Sequence, residues 1–270
     1  MLREPVVSGQ FYPPTQDLIK KQIGSFLPKL RENKSKVLAV VVPHAGYIYS
    51  GEVAVNVIAG IEIPKNVILI GPNHTGIGPK VSIMPSGTWK TPMGSLEINE
   101  SLAGSLIENS KLFSKDQSAH SYEHSLEVEL PILQYFSQDF KIVPIILSSL
   151  KFDEITDIAE AISKAIKEGD LKDDILLLAS TDMTHYETEE DAARKDKLAI
   201  EQILKLDAKA LLDAAINNDF SMCGKDPTAV IIEVSLRLGA KEARLIKYET
   251  SAKASGDHDQ VVGYAGLIIR

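Results

Sequence analysis

The chain has 270 residues, of which 44% are hydrophobic and 24% charged, with a formal net charge of −8 and one cysteine. These fractions suit a folded globular protein large enough to need no cross-links. An acidic chain whose lysines (Lys20, Lys21, Lys29, Lys34, Lys36) alternate with acids lacks the basic face of a nucleic-acid binder. A lone thiol excludes an intrachain disulfide and suits a reducing compartment. Met1-Leu2-Arg3-Glu4-Pro5 carries no signal-peptide core, and no window approaches ~18 uninterrupted apolar residues, so a cytoplasmic location without membrane contact is expected.

Helical spacing of Leu18, Ile23 and Leu27 predicts an amphipathic helix over 16–27. An apolar strand, 36–42, then ends abruptly in Pro43-His44. A Gly-bracketed aromatic turn, Gly46-Tyr47-Ile48-Tyr49-Ser50-Gly51, leads into a short helix over 52–59. The pattern repeats: a second buried strand, 66–70, ends in Gly71-Pro72-Asn73-His74. Two strands thus deliver one histidine each to the same sheet edge, and ligands of open α/β sheets bind beyond such carboxyl ends.

A strand over 81–84, a Gly- and Pro-marked loop or hairpin over 87–94 and a helix over 100–109 follow. Ser125 reads as a helix cap, with Pro131 kinking that helix. A strand over 140–147, a clean amphipathic helix over 153–167 and a strand over 174–178 come next. The last runs into Ser180-Thr181-Asp182-Met183-Thr184-His185-Tyr186. Helices over 190–206, 207–216 and 228–238 and strands over 243–248 and 261–269 complete the chain. Alternating strands and helices predict a three-layer α/β sandwich, one domain of residues 1–270.

The six histidines are His44, His74, His120, His124, His185 and His258. A single histidine at a strand end is most often a structural residue, but two in matched positions suggest a metal site, because neutral imidazole is the commonest transition-metal ligand. Cysteine or carboxylate would complete the set. Cys223 is the candidate, in a loop before a helix N-terminus that would favour the thiolate; a buried, inert thiol is the alternative. Asp182 and His185 share one side of a turn, with the carboxylate orienting the ring; Thr181 or Asp182 as a simple helix cap is the competing reading. Glu123 and His124, if extended, point to opposite faces, so only one would reach a site. Zincin, phosphate-loop, nucleophile-elbow, dinucleotide and Cys-x-x-Cys motifs are absent from the sequence.

Together Gly9-Gln10-Phe11-Tyr12, Pro43-His44-Ala45-Gly46-Tyr47, Gly71-Pro72-Asn73-His74, Glu123-His124-Ser125-Leu126-Glu127, Ser180-Thr181-Asp182-Met183-Thr184-His185-Tyr186 and Met222-Cys223-Gly224 resemble the Memo family nearly end to end. The resemblance implies a fold like that of class III extradiol dioxygenases, with a central mixed sheet and helices on both faces. It maps the family's metal site onto His44, His74 and Cys223, with Asp182 and His185 in the adjoining pocket. The dioxygenases use two histidines and a carboxylate; cysteine in the third place softens the site toward copper or thiolate-bound iron, with zinc as the alternative. Three roles follow as expectations. One is a metal-binding, redox-active protein in which His185 or His124 transfers protons and Asp182 holds His185. The second is an oxygenase acting on a small substrate. The third is a non-enzymatic binding module whose strand-end pocket, edged by Tyr47, Tyr49, Tyr186 and Trp89, holds a peptide or protein partner; a small molecule or peptide is the ligand expected at that pocket.

Overall fold

Runs of Val, Ile and Leu without polar alternation make strands buried on both faces, the pattern of a parallel sheet covered by helices. The computed structural model describes residues 1–28 and 34–270, so the expectation for Lys29 lies outside the described residues. In chain order its elements begin with β1 (Leu2–Arg3), α1 (Gln16–Phe26), β2 (Ala39–Val42), α2 (Tyr47–Ala59) and β3 (Asn66–Pro72). Next come β4 (Val81–Ile83), β5 (Thr88–Thr91), β6 (Gly94–Glu97), α3 (Glu100–Asn109), β7 (Ser114–Lys115), α4 (Ser118–Ser121), α5 (Glu129–Phe136) and β8 (Lys141–Leu147). The last part holds α6 (Phe152–Glu168), β9 (Ile175–Ser180), β10 (His185–Glu187), α7 (Glu189–Leu204), α8 (Ala208–Asn217), α9 (Lys225–Arg237), β11 (Ala243–Thr250), α10 (Ala252–Ser255) and β12 (Val261–Ile269).

The main sheet has the order β10-β12-β2-β9-β3-β8-β4-β7, with β11 paired to β12. β2, β9, β3 and β8 run parallel, while β12 and β4 flank them antiparallel, so the sheet is mixed. Two glycines of β12 show how the layers form. A Cβ on Gly266 would sit 2.5 Å from Val57 of α2, and one on Gly263 would sit 1.8 Å from the Asp196 carboxylate of α7. Residues an odd number apart point to opposite faces, so α2 and α7 cover different sides. α1 and α5 pack with α2, while α9 joins α6 and α8 on the other face. The fold is therefore the α/β sandwich expected, with helices on both faces of a mixed sheet.

Local chemistry explains most boundaries. Ile155, Ile158, Ala159, Ile162 and Ile166 bury one face of α6. Asn99, Thr188 and Asp207 cap α3, α7 and α8 by accepting backbone N–H bonds. Three expectations need correction. The aromatic turn is the first part of α2, which starts at Tyr47; Gly51 is needed there because a Cβ would meet the Phe26 ring at 2.9 Å. Likewise Pro131 causes no kink, because α5 starts at Glu129 and the first turn needs no N–H at that position. Ser125 is no cap; its hydroxyl donates to the Pro72 carbonyl. The Gly- and Pro-rich stretch forms the β5–β6 hairpin, which pairs with β1 in a small separate sheet.

That small sheet carries a buried ion pair. Arg3 lies 4.0 Å over the Trp89 ring and donates to Glu127 at 2.8 Å, and to the His120 and Glu123 carbonyls at 2.7 Å each. Glu127 also accepts from the Val6 and Val7 amides and the Tyr12 hydroxyl. The N-terminal segment is thereby clamped to residues 120–127. Glu127→Leu would strand a buried guanidinium and cost about 3–5 kcal/mol in denaturant unfolding, whereas Arg3→Met combined with Glu127→Leu should recover much of that loss. Equal stability of the single and double variants would contradict this account.

Candidate metal centre

β2, β9 and β3 lie side by side and point the same way, so their carboxyl ends open onto one edge. His44 lies just beyond β2, His74 just beyond β3, and Thr181 and Asp182 leave β9 between them. Cys223 reaches this edge from the turn before α9. Gly224 is packed so closely on the β9 exit that a Cβ would stand 2.4 Å from the Thr181 Cβ and 2.5 Å from the Ser180 carbonyl. The Gly224 amide donates to the Thr181 hydroxyl at 2.9 Å, which is what that threonine does in place of capping a helix.

Sγ of Cys223 accepts from the Asp182 amide at 3.2 Å and lies 3.4 Å from Nε2 of His44. One donor atom each from His44, His74 and Cys223 lies within 4.8 Å of the others. Two N or S ligands on one tetrahedral ion stand about 3.5 Å apart, so the His44–Cys223 pair already has ligand spacing. His74, Glu123 and His124 form a second group of the same compactness. The His74 and His124 rings stack at 4.7 Å, and His44 meets His74 edge-on at 5.2 Å.

The protonation pattern follows from the partners. Burial alone would raise the Glu123 carboxyl, but bonds from the His74 ring and the His74 and Ser125 amides hold it at about 2. An ionised carboxylate only accepts, so Nδ1–H of His74 donates to it at 2.9 Å, and Nε2 is the ring atom left over to act as a ligand. His185 donates from Nδ1 to the Ser221 carbonyl at 3.0 Å, which leaves its Nε2 bare as well. Burial pushes His44 well below the usual imidazole range, aided by the neighbouring imidazoles, and burial lowers His185 too. The Cys223 thiol is pushed up to about 12 by burial and the nearby Asp182 carboxylate. Burial lifts Asp182 itself to about 7 against the amides of His44 and Ala45. Ring nitrogens, sulfur and carboxyl oxygens thus converge, a donor set suited to a soft transition metal.

Several expectations change here. Asp182 does not orient His185; its Oδ1 accepts the His44 backbone N–H at 2.9 Å, and the Ser221 carbonyl takes the ring instead. Glu123 and His124 both reach the site, because the segment bends rather than extends. The helix beyond Cys223 does not yield a free thiolate, since burial outweighs it. Tyr47 is core, its hydroxyl donating to the Val128 carbonyl, and Trp89 lies buried under Arg3. Tyr49 and Tyr186 are exposed as expected; a bulge in β10, with Tyr186 at φ 58°, turns that ring outward beside His185. His120 sits elsewhere, 3.1 Å from the Ser82 hydroxyl, and His258 pairs with Glu189 at the surface. Ser180, Ser221 and Phe11, whose ring packs 4.7 Å from His124, were missed. Phe11 and Ser180 were at least signalled, by the Gly9-Gln10-Phe11-Tyr12 motif and by the motif that Ser180 opens.

Fold and site together define an α/β protein with a His/His/Cys cluster at the carboxyl edge of a mixed sheet. The architecture is similar to the crystal structure of an uncharacterized protein from Escherichia coli K12, with a TM-score of 0.60 and 13% identity over 86% of this chain and 100% of that one. The family described as Memo-like protein matches residues 3–268. A MEMO1 family protein of Sulfurisphaera tokodaii is 43% identical over 99% of this chain and 99% of its own length. One from Methanopyrus kandleri is 39% identical over 100% and 99%. The chain belongs to the Memo family.

Gly224→Ala tests the packing that delivers the sulfur. Overpacking against Thr181 should cost about 1–3 kcal/mol and loosen Cys223, so alkylation of the thiol should become faster than in the parent protein. An unchanged alkylation rate would show that Gly224 does not hold the cysteine in place.

Proposed function

We propose that this protein binds a redox-active transition metal, iron or copper with zinc as the alternative, through His44, His74 and Cys223. The observation that carries this reading is the meeting of two imidazoles and one sulfur within 4.8 Å, with both rings tethered at Nδ1. Thiolate softens the site toward copper(I), zinc and thiolate-bound iron relative to a two-histidine, one-carboxylate set. Bound iron or copper would supply one-electron chemistry, whereas zinc would supply Lewis acidity alone.

The chain's own residues supply the rest. Glu123 orients His74, and Asp182, near 7, holds or releases a proton close to neutral pH. His124 and His185 are the spare imidazoles for proton transfer. Tyr49 and Tyr186 are exposed, and Tyr186 packs beside the half-buried His185, so aromatic surface is available to a small-molecule or peptide ligand. A reducing cytoplasm keeps Cys223 available as a ligand. None of the helices is long and apolar enough to cross a membrane among the described residues. An oxygenase reading draws on the spare imidazoles, and oxygen uptake with iron-loaded protein and a catechol panel distinguishes it from simple metal binding.

Anaerobic reconstitution followed by elemental analysis should return about one metal per chain, and Cys223→Ala should weaken binding by at least ~10-fold. Unchanged content and affinity in the variant would remove the sulfur from the site. The protonation state adds a pH test. The thiol is protonated up to about 12 in the metal-free protein, so binding must expel a proton. His44 is already neutral and expels none. Affinity should therefore rise with pH, roughly tenfold per unit above the imidazole range. Calorimetry in buffers of different ionisation enthalpy, at a pH well above 7 where Asp182 is already ionised, should count one proton released, and a count of zero would contradict thiolate ligation.

A further inference from the structure

Behind His44, on the side away from Cys223, lies a buried polar chain. Oγ of Ser180 is 2.7 Å from Nδ1 of His44, 2.7 Å from the Ser125 carbonyl and 3.1 Å from Oε1 of Glu129. A hydroxyl has one proton to give and two lone pairs to accept with. The Ser125 carbonyl has no proton, so it takes the one from Ser180. The other two neighbours must then donate. His44 carries its hydrogen on Nδ1, and Glu129 is a carboxylic acid whose O–H points at Ser180.

The surroundings of Glu129 agree. Its side chain is 1% exposed, and its Oε2 has no hydrogen-bond partner among the described residues. An ionised oxygen left bare in such a place would be costly. Burial pushes the carboxyl well above its ordinary range, and the Asp182 carboxylate adds to the push.

We infer that Ser180 and a protonated Glu129 form a bracket behind His44, positioning residues that hold the ring as its Nδ1–H tautomer and turn the Nε2 lone pair toward Cys223. Ser180 accepts the ring hydrogen; Glu129 fixes the direction of the serine hydroxyl by occupying its second lone pair. The two ligand imidazoles are then unequal. His74 is backed by an anionic carboxylate, which strengthens a ring as a donor, while His44 is backed by neutral groups. The consequence for metal binding rests on the metal-site reading above; the tautomer and the protonated acid do not.

The test begins on metal-free protein. Long-range nitrogen–proton NMR of histidine-labelled chain should show His44 as a single Nδ1–H tautomer, and a ring protonated on Nε2 would overturn the inference with no variant needed. Ser180→Ala should convert that signal to a tautomer mixture, whereas Glu129→Gln, whose amide can still donate to Ser180, should keep it. Infrared difference spectra of the parent minus Glu129→Gln should show loss of a carboxylic-acid carbonyl band at neutral pH. Loss of a carboxylate band instead, or an unchanged single tautomer in Ser180→Ala, would each sink the bracket. Copper(I) titration is the separate arm: Ser180→Ala should lose roughly 10–100-fold in affinity. If the parent protein binds no metal yet the NMR and infrared results hold, the metal reading fails and the bracket stands.

Discussion

The site depends on the parallel register of three strands. Val42 of β2 pairs beside Ser180 of β9, Ile70 of β3 pairs beside Ala179, and the Thr181 amide donates to the Val42 carbonyl at 2.8 Å. The three chains therefore leave the sheet nearly level with one another. A one-residue slip would turn every side chain of a strand to the other face. It would also move His44 or His74 away from the shared centre. The ladder is held by residues almost wholly buried, which is why a small polar cluster can stand on it without a scaffold of its own.

Electrostatics inside that frame are uneven in a purposeful way. One side of the centre is ionic: the Glu123 carboxylate accepts from His74 and from two amides. The other side is neutral, with the Ser180 hydroxyl and the buried Glu129. Sulfur sits between them, tied by the Asp182 amide. Burial discourages charge on Cys223 and on His44 alike, and a cation at the centre would reverse that balance for the thiol.

Much of this could be read from the chain alone, for identifiable reasons. Buried apolar runs that stop at Pro43-His44 and Pro72-Asn73-His74 mark strand ends and their histidines together, because strand length and turn chemistry are both local. Cys223 stands 179 residues from His44; donor chemistry made it a candidate and the family resemblance put it in the set, but the close packing of Gly224 on Thr181 is a tertiary fact with no local trace. Asp182 and His185 looked like partners from their spacing, yet the β9 exit turns the carboxylate inward to backbone amides. Glu123 and His124 were separated by assuming an extended segment that is in fact bent. β1, β7 and β10 hold two or three residues each, too few to show any period. Glu129 did leave a trace, as an acid at a position that a helix of Leu130, Ile132 and Leu133 buries.

The place of β12 has a consequence for how the molecule comes into being. Residues 267–269 of that strand pair antiparallel with β2, which carries His44 to the sheet edge. During synthesis this edge of β2 stays unpaired until residues 267–269 have been made, so the sheet closes through contacts of high sequence separation. Until then an apolar strand stands open as a template for wrong pairing. The polypeptide is therefore one whose yield in cells should respond to chaperone supply and growth temperature more than its finished core would suggest.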